Sequence, residues 1–93
     1  MAEGQSEAAR RGLWRLMLKL PAVRGRLQLF SNRSSALSDL FEAYEDASVA
    51  LERFQKDQHR RDSRLIQEYE TVCTEIETEV IRLLLEGRKD VPN

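Results

Sequence analysis

No glycine and no proline lies between Ala36 and Glu86, so the longest part of this chain lacks the two residues that most strongly interrupt a helix. Apolar side chains recur within it at spacings of three and four residues, from Leu37 to Phe54 and again from Leu65 to Leu83. This spacing is typical of amphipathic α-helices. We therefore expect an all-α protein.

A polar stretch from Gln55 to Arg64 separates the two apolar patterns. If this stretch forms a turn, two long helices, about 35–57 and 63–86, make an antiparallel hairpin. A helix from the N-terminal part would then complete a three-helix bundle. If the stretch is helical, the chain contains one long coiled-coil helix that needs other copies in an oligomer to cover it. The length of the polar interruption favours the hairpin.

Charge divides the chain into a basic and an acidic part. Residues 1–34 carry seven basic and two acidic side chains, whereas residues 35–93 carry eight basic and fourteen acidic ones. The organisation that we expect is one small helical domain over residues 1–93. It comprises a basic amphipathic segment (1–33), an acidic helical hairpin (34–87) and a tail (88–93).

The first helix is expected to run from Ser6, a favourable N-cap, to Leu20, because Pro21 disfavours helix in the residue before it. Residues 22–30 are expected to add one or two further helical turns. One face of the first helix is apolar, with Leu13, Leu16, Met17 and Leu20 at helical spacing and Trp14 and Leu18 expected to widen it. A basic stripe is expected on the opposing side, formed by Arg11, Arg15 and Lys19.

A basic amphipathic helix that contains a tryptophan is typical of segments that bind an anionic membrane surface or an acidic protein groove. Six side chains are candidates for such a contact: Arg11, Leu13, Trp14, Arg15, Met17 and Lys19. An arginine-rich N-terminal helix also resembles a mitochondrial targeting segment. We expect an intracellular protein that is not secreted, in the cytoplasm, with mitochondrial targeting as the alternative.

The two long helices supply a second set of candidates. These large side chains should carry helix packing or a partner interface, and they are Leu37, Phe41, Tyr44, Leu51, Phe54, Leu65, Tyr69, Val72, Ile76 and Leu83. A second apolar stripe, Ile66, Cys73 and Val80, runs beside the second part of that set. Leu83, Leu84 and Leu85 point in three successive helix directions, so at least one of them should be exposed.

The residues that carry chemistry are few. Cys73 and His59 are single, and no histidine stands at helical spacing from the cysteine to activate its thiol. The carboxylates lack an arrangement across a cleft, and the short basic patch around His59 is flanked by acidic segments that repel a phosphate backbone. We expect no catalytic, metal or cofactor-binding residues, and we do not expect nucleic acid as a partner.

The function that we expect is therefore that of a non-enzymatic helical interaction module or adaptor subunit, which acts through its amphipathic helix faces. Its partner would be another protein or a second copy of the chain, in a homo- or hetero-oligomer. The alternative is a small peripheral membrane-binding or organelle-targeted protein that uses the basic N-terminal helix on an anionic membrane surface.

Overall fold

The computed structural model of the chain describes residues 6–31, 34–56 and 63–89, with side chains as far as Glu86. These residues form four α-helices and contain no strand, which confirms the all-α prediction. A single 3-10 turn, Pro21–Val23, joins the first two helices. The helices are α1 (Glu7–Lys19), α2 (Arg24–Phe30), α3 (Ser35–Lys56) and α4 (Ser63–Lys89).

The starts of α1 and α3 follow from local capping. The Ser6 hydroxyl accepts a hydrogen bond from the Ala9 amide (3.1 Å), which satisfies one of the free N–H groups at the start of α1. The Ser34 hydroxyl does the same for the amide of Leu37 (3.2 Å). α1 ends at Lys19, directly before the residue that precedes Pro21, as the sequence predicts.

The end of α4 differs from the prediction. The sequence predicts that this helix ends near residue 86, whereas α4 continues through Gly87 to Lys89. A glycine inside a helix costs only about 1 kcal/mol relative to alanine, and the next strong helix breaker along the chain is Pro92. Gly87 therefore does not terminate α4.

α3 and α4 form an antiparallel hairpin. The Tyr44 hydroxyl donates to a carboxylate oxygen of Glu77 (2.6 Å), and the rings of Phe54 and Tyr69 lie 5.5 Å apart. Residue numbers rise along α3 between these two contacts and fall along α4, so the helices run in opposite directions. This packing rules out the alternative of one continuous rod. The connecting residues 57–62 lie outside the described part of the chain.

The apolar core lies where α1 and α4 pack against α3, with α2 covering one end between α1 and α4. Its buried members come from every helix, and they are Ala9, Leu16, Met17, Leu27, Leu37, Phe41, Tyr44, Ala47, Cys73, Ile76, Val80 and Leu84. Partly buried apolar side chains surround them, including Leu51, Tyr69 and Leu83. The observed architecture is thus a three-helix bundle in which α3 contacts both long neighbours, with α2 as a short fourth helix.

α4 is rotated slightly from the orientation that its first apolar stripe predicts. Val72 is 39% exposed, whereas Cys73, Val80 and Leu84 are buried. Ile76 of the first stripe is buried as well, so the side of α4 that packs on the bundle lies between the two stripes. Leu85 is 46% exposed, which confirms that the three consecutive leucines cannot all be buried.

α1 and α3 approach each other closely at Gly12. A Cβ atom added to this residue would lie 1.8 Å from the carbonyl oxygen of Phe41 and 2.7 Å from its carbonyl carbon. Only a residue without a side chain fits here, since the atoms in contact belong to the backbone of α3 and cannot rotate away. Gly12 therefore sets the distance between α1 and α3.

Gly12→Ala should destabilise the bundle by about 1–3 kcal/mol, because α1 has to move away from α3 to admit the methyl group. Gly25→Ala is the matched control. It lies in α2 with open space around the added Cβ, and it should be neutral or stabilise by up to about 1 kcal/mol. Chemical denaturation followed by circular dichroism measures both. Equal effects of the two substitutions would contradict the close approach.

Two valines of α4 test its orientation. Val80→Ala should lower the free energy of unfolding by about 2 kcal/mol, because Val80 is fully buried and the change leaves a cavity. Val72→Ala should cost less than about 0.5 kcal/mol, since this side chain is partly in water and α4 tolerates alanine well. The same denaturation measurement applies. If Val72→Ala lowers the free energy of unfolding by more than this, α4 has the orientation predicted from the first stripe.

Candidate functional site: the two faces of α1

α1 has a buried face and an exposed face. The buried face carries Ala9, Gly12, Leu16 and Met17, which lie at helical spacing and pack on the bundle. Because the two small residues stand at the closest approach to α3, the large side chains on the other side of α1 point away from it. The exposed face is therefore determined by the fit of Gly12.

An ion-pair cluster joins α1 to α3. The Arg15 Nε donates to Glu45 (2.6 Å) and its Nη1 donates to Glu52 (2.9 Å), so one guanidinium binds two carboxylates that lie two turns apart on α3. Glu45 is buried, and an unpaired carboxylate there would be costly. The hydrogen bond from Arg15 holds the pKa of Glu52 below its usual range, and the hydrogen bond to Glu52 raises the pKa of Arg15.

A second polar cluster joins α1, α3 and α4 at Glu77. The same carboxylate oxygen of Glu77 accepts hydrogen bonds from Lys19 Nζ (2.9 Å) on α1 and from the hydroxyl of Tyr44 (2.6 Å) on α3. Burial of the phenol and its hydrogen bond to Glu77 raise the pKa of Tyr44 well above its ordinary value. Tyr44 therefore remains a neutral hydrogen-bond donor, and this cluster fixes the relative position of the three helices.

Cys73 lies beside this second cluster, on the face of α4 that packs on α3. Burial raises the pKa of its thiol, and a hydrogen bond with Ser48 only partly offsets that effect. A thiol with a raised pKa is a poor nucleophile at neutral pH, because the thiolate is the reactive form. The residue packs as a small apolar side chain, in line with its position on an apolar stripe.

The exposed face of α1 carries two large apolar side chains. Trp14 is 54% exposed and Leu18 is 74% exposed, and they lie one turn apart. Arg10 and Arg11 lie beside them on the preceding turn, both exposed. We call these four side chains, Arg10, Arg11, Trp14 and Leu18, the outer face of α1. The expectation that Trp14 and Leu18 widen the buried apolar face is wrong, because Gly12 and Ala9 occupy the side that contacts α3.

The two arginines of this outer face differ in their pairing. Arg11 contacts Glu7 one turn earlier (3.3 Å), an exposed pair of the kind that contributes little. Arg10 makes no ion pair with any side chain in the described part of the chain. At least one guanidinium of the outer face is thus available to an external anion.

The candidate contact residues on α1 do not share one surface. Leu13 is half-buried and Met17 is buried against the core, while Arg15 and Lys19 make the ion pairs of the bundle. Only Arg11 and Trp14 of the six candidates lie on the outer face. The basic stripe is therefore not opposite the buried face as expected, because the long side chains of Arg15 and Lys19 extend back to the acidic groups of α3 and α4.

The candidate packing residues separate by depth. Three members of the set are buried on α3 and one on α4: Leu37, Phe41, Tyr44 and Ile76. Five are half-buried at the edge of the hairpin: Leu51, Phe54, Leu65, Tyr69 and Leu83. Val72 is the exception, since it is exposed on α4. The sequence analysis did not identify Arg10 as a candidate contact residue, and it did not predict that Leu18 is exposed. Both residues could have been found from their position opposite Ala9 and Gly12 on a helical wheel.

The remaining polar features offer little for chemistry. His59, Asp57 and Asp62 lie outside the described residues. Among the residues that are described, no three histidine, cysteine or acidic side chains are grouped as a metal site requires. Two depressions, one on α4 around Val72 and one on α3 around Val49, are open to solvent. Within the described ranges, no helix is long and apolar enough to cross a membrane.

Comparison with protein-family models, with curated proteins and with solved structures found no match to this chain.

The pairing of Arg15 with Glu52 predicts a stability difference that depends on pH. Because the pKa of Glu52 is lowered in the folded chain, its stabilisation is complete above the ordinary carboxyl pKa and is lost as the pH falls through the lowered value. Glu52→Gln should therefore lower the free energy of unfolding by about 0.5 kcal/mol near neutral pH, as for other exposed ion pairs. In acid the substitution should have no effect on it. Denaturation of both proteins over a pH series measures this difference.

Amide hydrogen exchange provides the control for this prediction. Glu52→Gln should increase exchange in α1, because the substituted carboxylate binds Arg15. Glu86→Gln removes a carboxylate that pairs with Arg82 within α4, so exchange in α1 should stay unchanged. If the difference in the free energy of unfolding between the native chain and Glu52→Gln grows in acid, the assigned direction of the pKa shift is wrong.

Proposed function

We propose that the chain is a non-enzymatic helical interaction module that binds another protein through the outer face of α1. The observation that carries the proposal is the exposure of Trp14 and Leu18, one turn apart, on a helix whose other side is packed into the bundle. Exposed large apolar side chains that stand together mark contact sites more often than isolated ones do.

The residue types on this face support a protein partner. Tryptophan and arginine are enriched among the residues that contribute most to protein interfaces, because each combines a large contact area with directional polar groups. Trp14 and Leu18 would supply the apolar centre of such a contact, and Arg10 and Arg11 its charged edge. The arrangement is that of a helix that packs beside a partner helix.

The packing of α1 also favours this role. Hydrogen bonds from Arg15 and Lys19 to three glutamates of α3 and α4 hold α1 in place before any partner arrives. A contact surface that is already ordered loses less conformational entropy on binding than a free helix does. The polar clusters of the bundle thus support binding by orienting α1, and their groups are engaged with one another rather than turned toward a cleft.

A second candidate function is attachment to an anionic membrane through the same face. Trp14 with two neighbouring arginines favours it, since tryptophan and arginine suit the membrane interface. The apolar side chains that a free amphipathic helix would insert are engaged elsewhere, because Leu16 and Met17 are buried against the bundle. Binding strength at an interface scales with inserted apolar area, so we place this function second.

Site-specific photo-crosslinking of the full chain in cells tests the protein-binding proposal. A photoreactive phenylalanine analogue in place of Leu18 should give a discrete protein adduct, because this side chain is the most exposed on the outer face. The matched control carries the same analogue in place of Asp46, an exposed residue of α3, and should give none.

Trp14→Glu provides the second control in this experiment. Added to the chain with the analogue at position 18, it should remove the adduct, because it places a charge at the centre of the contact. Its own effect on folding should be small, since Trp14 is exposed. Equal adducts from positions 18 and 46, or no adduct from either, would contradict the proposal.

A further inference from the structure

The outer surface of α4 carries the charge opposite to that of α1. Glu68, Val72 and Glu75 follow one another at spacings of four and three residues, so they form one stripe along the helix. All three are exposed, and neither carboxylate makes an ion pair within the described part of the chain. We call these three side chains the acidic stripe of α4.

The two surfaces match in length and carry opposite charge. Arg10 to Leu18 spans about 12 Å of α1 and Glu68 to Glu75 spans about 10 Å of α4, at about 1.5 Å per residue. On α1 the apolar pair stands next to two arginines, and on α4 a single apolar residue stands between two glutamates. With Trp14 placed over Val72, the two arginines lie on one side of Trp14 and reach the glutamate on that side of Val72, and the planar guanidinium suits such a contact.

We propose that the partner of the outer face of α1 is the acidic stripe of α4 in a second copy of this chain. The inference rests on the proposed function and names its partner. The stripe supplies what the outer face lacks inside its own copy, namely a carboxylate for Arg10 and an apolar surface for Trp14. An anionic membrane would supply the charge as well, but the net charge of the chain is −1, so a negative surface does not attract the chain as a whole.

The geometry of the bundle determines the kind of assembly. α1 and α4 pack on different faces of α3, since Arg15 meets Glu45 and Glu52 whereas Tyr44 and Phe54 meet α4. When the outer face of α1 and the acidic stripe of α4 of one copy bind two different neighbours, the contact between copies is heterologous. Each added copy then offers a new free surface, and the assembly continues past the dimer unless it closes into a ring.

Sedimentation velocity of the full chain over a range of concentrations tests the proposal. The mean mass should rise with concentration above the 10.8 kDa of one chain, and it should fall toward that value when salt screens the charges. The double variant Arg10→Glu with Arg11→Glu should weaken association about tenfold or more, as should Glu68→Lys with Glu75→Lys. Neither change touches a buried side chain.

Mixing the two double variants is the decisive experiment. In each variant alone, the substituted surface meets an unchanged surface of the same charge and is repelled. In the mixture, glutamates on α1 of one variant meet lysines on α4 of the other. Association should return in the mixture to near the level of the native chain, which also shows that both variants are folded. The charge-matched control, Arg24→Glu with Arg53→Glu, changes two exposed arginines outside both surfaces and should leave association unchanged.

Three outcomes would overturn the proposal: a native chain that stays at the mass of one copy, a mixture that fails to associate, or a control that weakens association equally. Co-sedimentation of the native chain with phosphatidylserine-containing vesicles, with the mass unchanged in solution, would assign the outer face to a membrane. The native chain could also fail to associate with itself while the analogue at position 18 still crosslinks to a different protein. That result would overturn this inference and leave the proposed function standing.

Discussion

The bundle depends on the contact between the Gly12 backbone and the carbonyl of Phe41. Because no side chain separates the two helices there, α1 lies close enough to α3 for Arg15 to reach two carboxylates, and for Lys19 to reach Glu77 on α4. The same contact decides which residues of α1 meet water. With Gly12 and Leu16 inside, the helical repeat directs Trp14 and Leu18 outward.

Polar contacts orient the helices more than they stabilise them. Leu16, Phe41 and Val80 are fully buried and remove their apolar surface from water, which is the main stabilising contribution. A buried carboxylate such as Glu45 loses hydration that its partner only partly replaces, so its net contribution is small. Its effect is on register, because Glu45 needs a cationic partner and the observed placement of α1 brings Arg15 to it. The charge asymmetry between the two parts of the sequence is thus used partly within the molecule.

The sequence predicts the fold well where backbone chemistry and periodicity agree. Pro21 and the caps at Ser6 and Ser34 locate helix boundaries, and the polar interruption after Phe54 correctly favours a hairpin over a rod. Prediction from the sequence fails where two ways of packing a helix are close in energy. On α4 the stripes through Val72 and Cys73 are adjacent, and the choice between them depends on the shape of α3.

The exposed face of α1 is harder to predict for a related reason. Leucines and a tryptophan occur all around this helix, so composition does not distinguish the side that packs from the side that meets water. The distinction comes from the small residues Ala9 and Gly12, whose importance appears only when a second helix is placed against them. Arg15 and Lys19 belong to the bundle because their flexible side chains reach acidic groups on neighbouring helices, which spacing along α1 does not reveal.

The central position of α3 also has a consequence for how the chain folds. Only residues 57–62 connect α3 to α4, whereas the connection from α1 to α3 spans residues 20–34 and includes α2. Closing the shorter loop costs less entropy, so the hairpin forms readily and α1 docks on a surface that already exists. When the full-length chain refolds, the surface of α3 that receives α1 is thus the last part of the core to be covered.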